Sequence, residues 1–244
     1  TVKNDQKVTS AKWMTAGLGV FQLYLNGKIV GAEVLKPGFT DPFKTKLSFT
    51  YDITDAFQCK AGAENVLAAQ VTPGWWGDKI VTPGGNKGTY GTKCAFRGVL
   101  ELTYADGTTK LYGTDLENWK AGIAGPVKHA AIFDGEEYDA REKMGYDCVE
   151  TLSTPEQNKE FRGKIFPTNG AEVYMRHDLT LSPVKAYIWN GVEGEKENEF
   201  GKVIITKEFN PGEPMTLKEG ETLVVDFGQN CAAVPSFQFK ANEG

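Results

Sequence analysis

The sequence predicts an all-β protein built as a β-sandwich, and two observations support this fold class. Few segments show the 3.6-residue period of a helix, whereas apolar and polar residues alternate in many short runs. Glycine, proline, asparagine and aspartate separate these runs, as they do in sandwiches made of many short strands. At 244 residues, the chain is long enough for one large β domain or two smaller ones.

The clearest element is a hairpin that begins at Phe21. In an extended strand successive side chains point to opposite faces, so Phe21, Leu23 and Leu25 share one face. Asn26-Gly27 follows at once, and this pair readily takes the positive φ angles of a two-residue type I′ turn. We therefore expect a second strand directly after Gly27.

Other strands and turns follow from the same alternation. Asp106-Gly107 suits a tight turn between two of the strands. A short helical turn is expected at Thr54 to Phe57, with Asp52 and Thr54 as competing N-caps. The predicted strands of the first half are "VFQLYL", "KIVGAEVL", "KLSFTY", "NVLAAQV", "GVLELTY" and "TKLYG".

The composition changes near residue 143, which divides the chain into three predicted parts. Residues 1–142 form the first β-sandwich, and residues 143–170 form a polar linker. Within the linker, "STPEQNKEFRG" predicts a short helix with Ser153 as its N-cap. Residues 171–244 begin a second β-sandwich, from "AEVYM" to "SFQFKANEG", which we expect to be incomplete because it offers few strands.

Composition and motifs exclude several functions. A formal charge of −5 argues against nucleic-acid binding, and no apolar run reaches the roughly 20 residues that span a membrane. The four cysteines contain no CxxC pair, so free buried thiols are favoured over a zinc site. GxSxG, the P-loop, GxGxxG and the EF-hand loop are all absent from the sequence.

Two adjacent tryptophans suggest a sugar-binding surface. In an extended "TPGWWGDK", Trp75 and Trp76 would point in opposite directions, one into the core and one toward solvent. An indole face suits the apolar C–H face of a sugar ring, while Asp78 or Asn86 could bond its hydroxyls. The alternative is that both tryptophans only pack in the core or at its rim.

An acidic stretch, "FDGEEYDAREK", allows two interpretations. Paired carboxylates can catalyse glycoside hydrolysis when they flank the bond at roughly 5–9.5 Å from each other. Nothing in the sequence places Glu136, Glu137, Asp139 or Glu142 across a cleft from one another. A solvated acidic turn in which Asp139 pairs with Arg141 is therefore the favoured interpretation.

Together these segments resemble the N-terminal, non-catalytic β-sandwich modules of bacterial α-L-rhamnosidases, glycoside hydrolase family 78. The resemblance covers residues 10–142 well, is patchy over 143–219 and returns at 220–244. The segments that carry it are "GLGVFQLYLNGKIVG", "YDITDAFQCKAGAENVLA", "GWWGD", "LELTYADGT", "TDLENWKA", "FDGEEYDAR" and "DFGQN".

The resemblance implies a galactose-binding-like jelly roll for residues 1–142 and the start of the next sandwich after it. It implies an accessory region that contacts L-rhamnose or a rhamnose-containing glycan, and Trp75, Trp76 and Asp78 match the aromatic loop of the family. With Asn86 and Tyr90 of the following loop, these residues are the candidate sugar-contact residues. In the family an (α/α)6 barrel hydrolyses the glycan with inversion; this sequence has no matching helical pattern, so we expect no turnover from it alone.

A second hypothesis is a purely structural module that packs against the missing catalytic domain of the same chain. It predicts an exposed apolar patch, because a surface normally covered by another domain would be bare. The residues expected at such domain junctions are Glu136, Tyr138, Asp139, Arg141, Asp226, Gln229 and Asn230.

Calcium is the one cofactor that the resemblance raises, since some family members bind rhamnose together with Ca²⁺. Where the family often has Tyr-Gly-Asp, this chain has Tyr90-Gly91-Thr92, which removes a carboxylate ligand. The sequence leaves the metal open. It shows no leader peptide, and a periplasmic or extracellular location is favoured by polysaccharide chemistry alone.

Overall fold

The computed structural model describes residues 1–80, 86–123, 125–142, 163–168, 170, 172–194 and 201–240. Contacts divide the chain into two units, Thr1–Met175 and Arg176–Gly244. The helix predicted within 153–163 lies outside the described residues, apart from Gly163. The predicted domain limits at 142 and 170 stay predictions.

The described residues of the first unit are almost entirely β. They contain one α-helix, α1 (Gly74–Gly77), which is one turn long. Their strands are β1 (Val2–Lys3), β2 (Val8–Leu18), β3 (Val20–Leu25), β4 (Lys28–Val30), β5 (Glu33–Val34), β6 (Thr45–Asp52), β7 (Glu64–Asn65), β8 (Leu67–Thr72), β9 (Ala95–Tyr104), β10 (Thr109–Gly113), β11 (Val127–Ala131), β12 (Gly135–Tyr138), β13 (Lys164–Pro167) and β14 (Val173–Tyr174).

Two sheets form the body of this unit. One has five strands in the order β10-β9-β2-β6-β13, and the other has three in the order β4-β3-β8. Neighbouring strands are antiparallel except β13, which runs parallel to β6 along the sheet edge. Strands β1 and β7, β11 and β12, and β14 and β5 pair as separate two-stranded ribbons.

The core contains side chains from both sheets, which is the defining feature of a β-sandwich. Phe21 of β3 meets Phe49 of β6 and Phe96 of β9 with ring centroids 6.3 and 5.9 Å apart. Edge-on aromatic packing of this kind is favourable beyond the area it buries. The all-β sandwich prediction is therefore confirmed, with Trp13, Leu23, Leu100 and Leu102 among its buried residues.

The predicted hairpin is confirmed in detail. Phe21, Leu23 and Leu25 are buried, while the alternate side chains are half-exposed. Asn26 and Gly27 have φ angles of 51° and 78°, as a type I′ turn requires. The Asn26 side chain also accepts the Val66 N–H at 2.8 Å, and this bond holds the turn against the residue that precedes β8.

The predicted short helical turn after Asp52 is present. The Phe57 N–H donates to the Ile53 carbonyl at 2.9 Å, and the chain does not continue as a helix. Asp52 acts as its cap, since its carboxylate accepts the Thr54 N–H at 3.0 Å and the Thr54 hydroxyl at 2.6 Å. These two bonds hold the pKa of Asp52 below its ordinary value.

The second unit is a small sheet with little core among its described residues. Its elements are a short 3₁₀ helix, η1 (His177–Leu179), and the strands β15 (Lys185–Glu193), β16 (Lys202–Phe209) and β17 (Thr222–Asp226), in the order β16-β15-β17. Of its described large apolar residues, only Ile188 is fully buried. Residues 236–240, where the β segment was expected to continue, form no strand because none of the described strands pairs with them.

Three cysteines lie in the described residues, and all are free thiols. Cys59 and Cys94 are half-buried, and burial raises the pKa of both thiols. Cys231 is exposed, so the expectation of buried thiols is wrong for this position. Cys148 lies outside the described residues.

Candidate functional site

The tryptophan segment is a single helical turn, not the extended chain that the sequence suggested. Pro73 is its N-cap, and Gly74 has a φ angle of +50°, in the left-handed region that favours glycine. Trp76 is only 4% exposed and donates its indole N–H to the Lys93 carbonyl at 3.0 Å. Trp75 is half-exposed, so the expected division into one inner and one outer tryptophan is confirmed.

Both tryptophans join an aromatic cluster that we call the aromatic recess, formed by Phe39, Phe43, Trp75, Trp76 and Tyr90. Phe39 lies 6.2 Å from Trp75 and 6.1 Å from Tyr90 between ring centroids. Phe43 lies 6.4 Å from Trp76 and 5.7 Å from Tyr90. All members of the recess except Phe43 line a cavity of about 40 Å³, together with residues 17–19, Pro37 and Gly38.

The two phenylalanines of the aromatic recess were not predicted from the sequence. Phe39 is 57% exposed and Phe43 is 48% exposed. They occupy "PGFTDPFK", a segment whose proline, glycine and aspartate predict a surface loop. Aromatic residues in such a loop have no core to enter, and this was the signal that could have found them.

The Asp78 carboxylate is not free to bond a sugar hydroxyl in the recess. The residue is 3% exposed, and its Oδ1 accepts the Lys79 N–H at 2.8 Å. The Lys87 ammonium lies 3.5 Å from the same oxygen. Asn86, one residue earlier, is exposed, and its carbonyl accepts the Thr89 hydroxyl at 3.4 Å.

A second carboxylate completes a charged group beside the tryptophans. Asp134, in the turn between β11 and β12, lies 2.8 Å from the Lys79 Nζ and 3.6 Å from the Lys87 Nζ. The hydrogen bond from Lys79 holds the pKa of Asp134 below its ordinary value. We call Asp78, Lys79, Lys87 and Asp134 the ion-pair cluster.

The acidic stretch forms structural ion pairs. Arg141 donates from Nε and one terminal nitrogen to the two oxygens of Asp139, at 2.8 and 2.7 Å, and holds the pKa of that carboxyl well below its usual range. Glu142 lies 2.6 Å from Lys128. Glu136 and Tyr138 lie exposed on β12. The structural interpretation of Asp139 and Arg141 is supported.

The predicted junction residues of the second unit lie at the end of β17. Asp226 accepts the Gly228 N–H with its carboxylate at 2.7 Å and the Val184 N–H with its carbonyl at 2.8 Å. Gln229 and Asn230 follow in exposed, irregular chain. Their assignment to a domain junction stays a prediction.

A buried lysine, which the sequence analysis also missed, lies just before the recess loop. Lys36 is 2% exposed, and its ammonium donates to the Val30 carbonyl and the Tyr51 hydroxyl, each at 3.2 Å. Glu33 lies 3.7 Å from it and accepts the Tyr51 hydroxyl at 3.0 Å. Burial lowers the pKa of Lys36, whereas burial and then Glu33 raise that of Tyr51.

The residues near the recess do not fit a calcium ion. Ca²⁺ takes about six to eight oxygen ligands, several of them carboxylate. The two carboxylates beside the tryptophans are already bound to lysine ammonium groups. Over the described ranges, no three His, Cys, Asp or Glu side chains are grouped so that they could hold a metal.

None of the described helices is long and apolar enough to span a membrane.

Comparison with known proteins gives one consistent family. The profile described as "Alpha-L-rhamnosidase N-terminal domain" matches residues 6–162. An alpha-L-rhamnosidase of Alteromonas sp. (strain LOR) is 27% identical over 246 residues, covering 98% of this chain and 23% of that protein. One of Streptomyces avermitilis is 38% identical over 138 residues, covering 57% of this chain and 13% of that protein.

Solved structures agree with the sequence matches. The crystal structure of Streptomyces avermitilis alpha-L-rhamnosidase complexed with L-rhamnose superimposes with a TM-score of 0.65 at 29% identity, covering 76% of this chain and 18% of that one. That of the native Aspergillus terreus enzyme gives a TM-score of 0.63 at 25% identity, covering 84% and 22%. The chain thus spans less than a quarter of the length of these relatives.

Proposed function

The chain belongs to the alpha-L-rhamnosidase N-terminal domain family, and from this premise we propose that it is a non-catalytic accessory region of an α-L-rhamnosidase and binds rhamnose-containing glycan through the aromatic recess. The observation that carries the proposal is the set of exposed and half-exposed aromatic faces on one loop cluster, formed by Phe39, Trp75 and Tyr90. A related enzyme has been crystallised with L-rhamnose, which makes this sugar the first ligand to test.

The shape of the recess determines how a sugar would bind. A cavity of about 40 Å³ is far smaller than the roughly 300 Å³ at which enclosing ligand pockets begin. A sugar would therefore lie over the aromatic faces instead of entering the protein. L-Rhamnose carries a methyl group and apolar C–H faces that suit such a platform, and its hydroxyls would remain largely in water.

Hydrolysis is assigned to another part of the parent protein. In the acidic stretch, Asp139 and Glu142 are each paired with a cation. Neither carboxylate is thus free to protonate a glycosidic oxygen or activate a water. We expect no release of the aryl group from an aryl α-L-rhamnoside above background, and release with this chain alone would contradict the accessory role.

The binding proposal is tested by calorimetric titration of L-rhamnose into the protein and its Trp75→Ala variant. Single sugars bind accessory modules weakly, so we expect a Kd near 1 mM, about −4 kcal/mol. Trp75→Ala should abolish the heat because it removes an exposed face of the recess. Trp189→Ala is the matched control, since Trp189 is 40% exposed in the second unit. Equal heat from wild type and Trp75→Ala would contradict the proposal.

Trp76 is the wrong residue for that test. Its side chain is buried, and truncating a buried tryptophan costs about 3–5 kcal/mol of folding free energy. We expect Trp76→Ala to lower the urea midpoint strongly, whereas Trp75→Ala lowers it little. Urea unfolding of both variants measures the difference, and similar midpoints would show that both tryptophans are surface residues.

A structural role for the second unit is supported by a separate observation. Phe237 and Phe239 are 74% and 77% exposed, and Val234 is 68% exposed. Bare aromatic and aliphatic residues so close together indicate a surface that another part of the protein covers. We propose that this part is the catalytic domain or another segment of the longer parent chain.

If this surface contacts the rest of the parent protein, substituting Phe237 and Phe239 should change the Tm only in the longer parent chain. Phe237→Ser/Phe239→Ser should leave the Tm of the 244-residue chain unchanged, because neither side chain is buried there. In the longer parent the same change should lower the Tm, since it would remove buried contact area. An unchanged Tm in both proteins would exclude this surface as a contact.

A further inference from the structure

We propose that the loops beside the aromatic recess are held together by lysine ammonium groups, which perform the cross-linking that a bound calcium ion would provide. The proposal concerns the ion-pair cluster of Asp78, Lys79, Lys87 and Asp134. These ion pairs would stabilise the fold whether or not the recess binds a sugar.

The cluster joins two segments that are distant in sequence. Asp78, Lys79 and Lys87 lie in the connection between α1 and β9, and Asp134 lies between β11 and β12. The Lys87 Nζ lies 3.5 Å from the Asp78 Oδ1 and 3.6 Å from an Asp134 oxygen. One nitrogen therefore links two carboxylates, as a divalent cation does. The Gly88 N–H also donates to the Gly77 carbonyl at 3.1 Å, which fixes the position of Lys87.

Charge balance argues that no further cation is required here. The two carboxylates are neutralised by two ammonium groups, with Lys79 bound to Asp134 at 2.8 Å. A calcium ion would have to displace at least Lys87. It would then lie beside the Lys79 ammonium, which is also positively charged and would repel it. Its remaining ligands would also be poor, because Thr92 stands where a carboxylate is expected and contributes none.

The burial of Asp78 determines how much these ion pairs contribute to folding stability. Exposed ion pairs contribute little to stability because water and salt screen them. The Asp78 side chain, however, is 4% exposed, while Lys87 is 54% exposed and approaches it from the solvent side. Removing Lys87 would leave a buried carboxylate without its cation, which is far more costly than losing an exposed pair.

Thermal unfolding of the full chain in millimolar CaCl₂ and in EDTA gives the first test. We expect the wild-type Tm to be the same in both buffers. We expect Lys87→Met to lower the Tm by roughly 2–4 °C or more in either buffer. Lys28→Met is the matched control, because Lys28 is an exposed strand lysine without an ion pair to any described residue. A wild-type Tm that rises with calcium, or equal losses in the two lysine variants, would overturn the proposal.

A second pair of variants separates charge from packing. Asp78→Asn/Lys87→Met removes both charges together, so it should regain most of the Tm that Lys87→Met loses. If the double variant is as unstable as the single one, Lys87 acts through its aliphatic stem and the proposal fails.

Discussion

At the scale of single residues, Lys36 is the least expected finding. A lysine is almost never fully buried unless it is paired, because desolvation disfavours its charge. Here burial lowers its pKa, and Glu33 works in the opposite direction. Lys36 directly precedes Pro37 and Gly38, which line the aromatic recess. The buried ammonium thus anchors the beginning of the loop that carries Phe39.

We predict that Lys36→Met destabilises the protein through the partner it leaves behind. Removing one member of a buried pair costs about 3–5 kcal/mol, because the remaining charge stays buried without its counter-ion. Glu33→Gln in addition should recover most of this loss, since Tyr51 can still donate to the amide oxygen. Urea unfolding of the single and double variants measures both steps. A double variant no more stable than Lys36→Met would show that lost packing, not charge, is responsible.

A buried tyrosine predicts the response to alkaline pH. Burial, followed by the hydrogen bond with Tyr112, raises the pKa of Tyr104 to about 12, above the ordinary value of about 10. A group whose folded pKa is raised contributes stability that is fully present below the unfolded pKa. That stability is lost as the pH rises through about 10 to 12. The folded protein should therefore lose stability over this range.

The corresponding measurement compares Tyr104→Phe with the wild type in urea at about pH 8 and about pH 11. We expect the free energy of unfolding to fall less between these pH values in Tyr104→Phe than in the wild type. Tyr138→Phe is the control, since Tyr138 is 57% exposed on β12. An identical loss in Tyr104→Phe and the wild type would assign the alkaline transition to other groups.

At the scale of elements, local sequence decided the hairpin but not the tryptophan segment. Asn26-Gly27 determines its own turn because few other residues accept φ angles of 51° and 78°. The segment after Thr72 has no such unique local solution. Its helical turn depends on Gly74, whose Cα lies so close to β3 that an added Cβ would be 2.5 Å from a Val20 methyl group.

Gly27→Ala and Gly74→Ala should lower the free energy of unfolding by different amounts. Both have positive φ angles, which cost a non-glycine residue about 1 kcal/mol. A Cβ at Gly27 would meet nothing within 4 Å, so Gly27→Ala should lose only this amount. Gly74→Ala also forces Val20 to move and should lose about 2–4 kcal/mol in total. Chemical denaturation distinguishes them, and equal losses would contradict the close approach at Gly74.

At the scale of the whole molecule, the two units differ in how much core they possess. The first unit buries residues of both sheets, including Phe21, whose ring contacts those of Phe49 and Phe96. In the described part of the second unit, Ala186 and Ile188 are the buried apolar residues. Because burial of apolar area is the main force in folding, we expect only the first unit to fold alone.

Expression of the two units separately tests this difference. Residues 1–175 should give a dispersed NMR spectrum and a cooperative thermal transition. Residues 176–244 should give neither, since a three-stranded sheet with almost no covered face is not stable in water. A dispersed spectrum from residues 176–244 alone would show that the second unit is a complete domain.

The sequence by itself determined the fold class, the hairpin and the family, because period-two alternation and turn residues act locally. It also made Trp75 and Tyr90 candidate sugar-contact residues, because their types and loop setting are visible in the chain. Only the tertiary structure brought Phe39 and Phe43 to them, and only it showed that Asp78 is buried beside Lys87. The aromatic contacts join loops far apart in sequence, and no local preference encodes which loops meet when two sheets pack.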